Sequence, residues 1–125
     1  MKNLFLLRHA KSSWDNAALG DFDRPLSKRG ISNAIQLSEY IQKHSISFDL
    51  VLSSPSERTQ STLDLVLNPF DPIPTTSLKE SIYHASPSNL SQLIKELDDE
   101  INNLLIIGHN PGLHILTETL TNESI

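Results

Sequence analysis

The stretch Asn3-Leu4-Phe5-Leu6-Leu7-Arg8-His9-Ala10-Lys11 sets a short apolar run directly against three basic side chains. An unbroken apolar run of this length suits a parallel strand buried on both faces. In open α/β sheets, ligands bind just beyond the carboxyl ends of the strands. The run therefore places Arg8, His9 and Lys11 at a ligand-binding edge. Two further runs repeat the arrangement. Leu104-Leu105-Ile106-Ile107 ends in Gly108-His109-Asn110-Pro111-Gly112, and Asp49-Leu50-Val51-Leu52-Ser53 leads on to Arg58.

Helical patterns lie between these strands. Ser27 is a suitable N-cap for a helix reaching about Lys43, with Ile31, Ala34, Ile35 and Ile41 mostly on one face. Pro55 or Ser56 opens a second helix, its apolar side formed by Leu63, Val66 and Leu67, and Pro69 ends it. A weak strand, Thr75 to Leu78, follows a proline-rich loop. Ser86 caps a third helix, with Pro87 at the first helical position and Leu90, Leu93, Ile94 and Leu97 as its buried face. A last helix begins near Pro111 or Gly112. Ser12 to Arg24 reads as a loop, because Gly20, Asp21 and Asp23 favour turns. Strands alternating with helices predict a three-layer α/β/α sandwich around a mostly parallel sheet.

With 125 residues the chain is long enough for one domain and too short for two. The formal net charge of −5 argues against a general nucleic-acid role, which needs a basic surface. The basic residues around His9 are the local exception. There is no cysteine, which excludes thiolate chemistry and disulfides and fits a cytoplasmic setting. The apolar run at the N-terminus is too short for a signal peptide and is followed at once by charge. No stretch approaches the roughly 20 apolar residues needed to span a bilayer, so no membrane association is expected.

Two imidazoles and two guanidiniums at one sheet edge suit a phosphoryl group. Moving that group requires positioning and charge neutralisation. The arginine fork matches two phosphate oxygens. A neutral histidine can accept the phosphoryl group covalently and release it to water, and nearby cations help keep it neutral. In this reading His9 is the nucleophile, Arg8 and Arg58 clamp the oxygens, and His109 stabilises charge opposite. No cofactor is needed, and no metal-ligand spacing is evident. His44 reads as a structural cation at a helix C-terminus, and His114 as packing. His84 lies near the site without an assigned role.

Leu6-Leu7-Arg8-His9-Ala10-Lys11-Ser12, Asp23-Arg24-Pro25-Leu26-Ser27-Lys28-Arg29-Gly30, Ser53-Ser54-Pro55-Ser56-Glu57-Arg58 with Thr62, and Gly108-His109-Asn110-Pro111-Gly112 stand in a familiar order. They resemble the histidine phosphatase superfamily, with its phosphoglycerate mutase-like fold, and within it the SixA-type phosphohistidine phosphatases. Alanine at position 10 replaces the superfamily's usual glycine, as is common in that branch. The resemblance implies the same roles for His9, Arg8, Arg58 and His109, and a mid-chain acid, Glu80, as proton donor. It also implies a phosphorylated protein as partner, such as a histidine-phosphotransfer domain. The alternatives are a phosphatase for small esters and an inactive phosphoprotein-binding module. Relatives continue past the last helix, so the chain is expected to be truncated, leaving Leu113, Leu116 and Leu120 without cover.

Overall fold

The computed structural model describes residues 3–122. Four strands, β1 (Asn3–Arg8), β2 (Leu50–Ser53), β3 (Thr76–Leu78) and β4 (Asn103–Gly108), alternate with four helices, α1 (Lys28–Lys43), α2 (Glu57–Leu67), α3 (Pro87–Lys95) and α4 (Gly112–Thr121). Short 3-10 turns cover Asp21–Asp23 and Glu80–Ile82. The strands form one parallel sheet in the order β1-β4-β2-β3. The structure is thus the predicted α/β sandwich.

Alternation along each strand divides the core in two. Phe5, Leu7, Val51, Leu105 and Ile107 meet Ile41, Leu63, Val66 and Leu67 of α1 and α2 on one face. Leu4, Leu6, Leu52, Leu104 and Ile106 meet Leu90, Leu113 and Leu116 of α3 and α4 on the other. β4 is covered on both faces and flanked on both edges, so its Leu104–Ile107 run is buried throughout. That double burial is why the run is continuously apolar rather than alternating.

The helix starts follow the expected chemistry. Ser27 accepts a hydrogen bond from the Gly30 amide, and Ser86 from the Asn89 amide, with Pro87 at the head of α3. Two apolar assignments need correction. Ala34 and Ile41 of α1 are buried as expected, but Ile31 and Ile35 are exposed, and Gly30 and Ser38 complete the buried face. Small residues let α1 lie close to its neighbours, and the Ser38 hydroxyl is satisfied by the Val66 carbonyl at 2.9 Å. Leu113 and Leu116 are not left without cover, because they pack beneath the sheet; Leu120 is exposed.

Glycine at two positions permits backbone contacts that frame the site. A Cβ on Gly30 would lie 2.1 Å from the Lys11 carbonyl oxygen, so the start of α1 rests on the segment after β1. A Cβ on Gly112 would lie 2.2 Å from the Ala85 carbonyl oxygen, so the start of α4 rests on the turn carrying His84.

Candidate active site

Register brings the two central histidines together. Arg8 pairs with Gly108 across β1 and β4, so the next residue on each strand is a histidine. The His9 amide donates to the Gly108 carbonyl at 3.1 Å, and the two ring centroids lie 5.3 Å apart. Arg58 arrives from the first turn of α2. That helix is tied to the His9 segment through Thr62, whose hydroxyl accepts from the Ala10 amide at 3.0 Å and donates to the Arg58 carbonyl at 2.7 Å.

Hydrogen bonding fixes the protonation of both rings. His9 Nδ1 lies 2.7 Å from the Ala10 carbonyl oxygen, which can only accept. Nδ1 therefore carries the proton, and Nε2 presents a lone pair. The Arg58 Nε–H meets that lone pair at 3.3 Å. Arg58 Nη2 lies 3.3 Å from His109 Nδ1, and a guanidinium only donates. His109 is then protonated on Nε2, which donates to Ser54 Oγ at 2.9 Å.

Both imidazoles are held neutral. Burial lowers the His9 pKa, assisted by the positive charges of Arg58, Arg8 and Arg24 and opposed by the Ala10 hydrogen bond. Burial is also the largest cause at His109, where Arg58 adds to it and the pKa falls to about 3. A neutral imidazole next to a guanidinium has the protonation a phosphoryl acceptor requires.

Arg8, His9, Arg58 and His109 line one open cavity of about 540 Å3. Arg8 is exposed at its wall, whereas Arg58 is 3% exposed. Glu80 lies on the turn before Tyr83 with its side chain exposed, outside the residues that line the cavity. Lys11, Ser12, Trp14, Arg24, His84 and Asn110 complete the lining. Arg24 is buried beneath the Trp14 ring, 3.1 Å from its centroid, and bonds the Ser13 carbonyl, the Ser12 hydroxyl and Asp21.

Asp21 is the carboxylate at the site that sequence reasoning did not assign. It faces Arg58, Arg24, Tyr83 and His84. The Tyr83 hydroxyl holds its carboxyl well below the usual carboxylate range, assisted by Arg58 and His84. Burial and the Asp21 acceptor push the Tyr83 hydroxyl upward in return. His84 adopts a left-handed backbone conformation, φ 53°, and its ring centroid lies 5.1 Å from that of His109. Uncommon φ values in bulky residues concentrate at functional sites. Among the described residues no group of three or more histidine, cysteine or carboxylate side chains is arranged to hold a metal ion. Among them, too, no helix is long and apolar enough to cross a membrane.

The sequence profile of the histidine phosphatase superfamily, branch 1, matches residues 4–102. The chain belongs to the histidine phosphatase superfamily. By family it is a phosphatase domain of the hydrolase class, with the phosphoglycerate mutase-like fold. An uncharacterized chloroplastic protein of Arabidopsis thaliana is 31% identical over 99% of this chain, which spans 61% of that relative's length. The candidate phosphohistidine phosphatase SixA of Agrobacterium tumefaciens superposes with a TM-score of 0.91 at 27% identity, covering 98% of this chain and 79% of that one. This likeness places the chain in the SixA-type branch of the histidine phosphatases. A candidate α-ribazole-5′-phosphate phosphatase of Escherichia coli shares the fold, with a TM-score of 0.75 at 23% identity over 96% of this chain and 79% of that one.

Proposed function

We propose that the chain is a phosphohistidine phosphatase acting on a phosphorylated protein through a covalent intermediate on His9. The observation that carries this reading is the unprotonated His9 Nε2, held in the cavity against the Arg58 guanidinium. In the first step Nε2 forms a bond to phosphorus as the substrate's P–N bond breaks. The substrate imidazole leaves with its own proton. Water then attacks phosphorus, the bond to His9 breaks, and inorganic phosphate departs. Arg58 Nε and Nη2 exchange their histidine partners for phosphoryl oxygens in both steps, and Arg8 contributes charge from the rim.

His109 must change its hydrogen bonding when phosphate arrives, because a lone pair on Nδ1 would repel a phosphoryl oxygen. Ser54 makes that possible. Its hydroxyl can donate as well as accept. When Nδ1 takes a proton from water and Nε2 returns its own to water, the Ser54 hydroxyl turns to donate to Nε2, and the new Nδ1–H faces the phosphoryl group.

A protein-borne substrate is favoured by the openness of the site. Between Lys11 and α1, residues 12–27 form a loop whose one helical element is the 3-10 turn Asp21–Asp23, and Trp14 is 74% exposed at the rim. A small ester is usually enclosed more fully. The leaving imidazole needs no carboxylic acid donor, so Glu80 would be called on only for alkyl phosphates. The test is incubation with phosphohistidine carrier proteins and with an aryl phosphate. Turnover and acid-labile labelling of the enzyme are both expected, and both should vanish in His9→Ala. Labelling that survives His9→Ala would move the nucleophile elsewhere. Binding without turnover would make the chain a phosphoprotein-binding module.

A further inference from the structure

Arg58 offers two forks: the Nη1/Nη2 end and the Nε/Nη2 side. Asp21 holds the end fork with two acceptors of one residue. Nη1 donates to its carbonyl at 2.5 Å and Nη2 to its Oδ2 at 3.0 Å. The side fork faces the histidines, with Nε on His9 Nε2 and Nη2 on His109 Nδ1, both at 3.3 Å. N–H···O and N–H···N contacts weaken beyond about 3.2 Å. The firm contacts are therefore on the end that points away from the reacting atoms, and the readily exchanged ones are on the side that faces them.

From this geometry we propose that Asp21 is a positioning residue, which holds Arg58 by its end fork so that the side fork meets the phosphoryl group. The proposal rests on the phosphoryl-transfer reading above. Arginine has a flexible stem, and the loss of its freedom on binding is smaller where the guanidinium is already oriented. Asp21 is itself braced. Its Oδ1 accepts from Arg24 Nη1 at 3.1 Å, and the Tyr83 hydroxyl and His84 Nε2 converge on Oδ2. The bracing comes from Arg24 on Asp21's own loop and from the Tyr83–His84 turn, so two chain segments hold the carboxylate in place. A carboxylate near a phosphate site can instead compete with phosphate for the guanidinium. Here the carboxylate takes the fork that does not face the histidines, so the two anions are not rivals for one edge.

The experiment is a double-mutant cycle of Asp21→Ala and Arg58→Lys in the full chain, read in two ways. One is the affinity for inorganic phosphate by calorimetry, and the other is kcat and KM on an aryl phosphate. Misplacement of a guanidinium by about an ångström costs on the order of 100-fold, so Asp21→Ala should weaken phosphate binding and lower kcat/KM by roughly 10- to 100-fold. In the Arg58→Lys background the same change should add no more than about twofold. A purely structural role would lower the melting temperature and multiply through both backgrounds. Should the alanine variant not fold, Asp21→Asn, which keeps the volume and loses the charge, carries the same test. Effects that multiply across the cycle overturn the proposal. Phosphate binding as tight as or tighter than wild type in Asp21→Ala also overturns it and makes Asp21 an internal competitor. A wild-type protein that turns over no phosphate would reject the function proposed above, while the phosphate-binding cycle would still decide the role of Asp21.

Discussion

At the scale of single residues, neutrality of His9 and His109 sets the pH response. The folded pKa of each lies below the ordinary value of 6.5, that of His109 at about 3. The unfolded chain therefore binds more protons than the folded chain between those limits. Stability should fall as pH drops below about 6.5, the reverse of the effect of a histidine that gains a partner on folding. Activity should persist below the same pH, because His9 stays unprotonated there. A pH profile of kcat/KM whose acid limb lies at or above 6.5 would contradict this account. Arg58→Ala should lose on the order of 2–5 kcal/mol of transition-state stabilisation, as for a buried charge-assisted contact. Glu80→Gln should leave phosphohistidine turnover unchanged, since its side chain lies outside the cavity lining; slowing of alkyl phosphates alone would mark it as their proton donor. The convergence of Arg8 at the end of β1, His9 and His109 just beyond their strands and Arg58 in the first turn of α2 on one cavity was legible from sequence. Arg24, Asp21 and Tyr83 were not. A turn-rich loop gives no sign of where its charges point, and the Asp21 contacts with Arg58 and Tyr83 span 37 and 62 residues.

At the scale of elements, what positions the site is the contact between segments rather than the elements themselves. Strand and helix identities followed from apolar runs and caps, which are local signals. The face of α1 followed only in part: Ala34 and Ile41 are buried as expected, but Gly30 and Ser38 share that face while Ile31 and Ile35 are exposed, because periodicity of large apolar residues misses small ones. Gly112 shows how much such contacts carry. The start of α4 lies against the Ala85 carbonyl, next to His84 and three residues after His109. Gly112→Ala must push α4 and the His84 turn apart. Overpacking of this kind costs about 1–3 kcal/mol. Denaturant unfolding should show that loss, and kcat/KM should fall further than the stability alone explains, because both imidazoles shift. A variant as stable and as active as wild type would show that the turn yields without moving either ring.

At the scale of the whole molecule, charge is distributed against the chain's own balance. The net charge is −5, yet Arg8, Lys11, Arg24 and Arg58 all line the cavity. An anionic substrate is repelled by most of the surface and drawn to one opening. Clefts lined by one sign of charge focus the field and raise association rates. Salt weakens this attraction, since the screening length shrinks from about 10 Å at 0.1 M to about 3 Å at 1 M. The chemical step occurs inside hydrogen-bonding distance, where screening reaches little. Raising potassium chloride should therefore lower kcat/KM for an aryl phosphate severalfold while kcat changes little, and a neutral osmolyte should do neither. Lys11→Gln should flatten the salt dependence, because it removes one of the four cations that make the field. A kcat/KM independent of salt would mean that the cavity acts on the phosphoryl group only at contact. The acidic surface would then have no part in selecting what reaches His9.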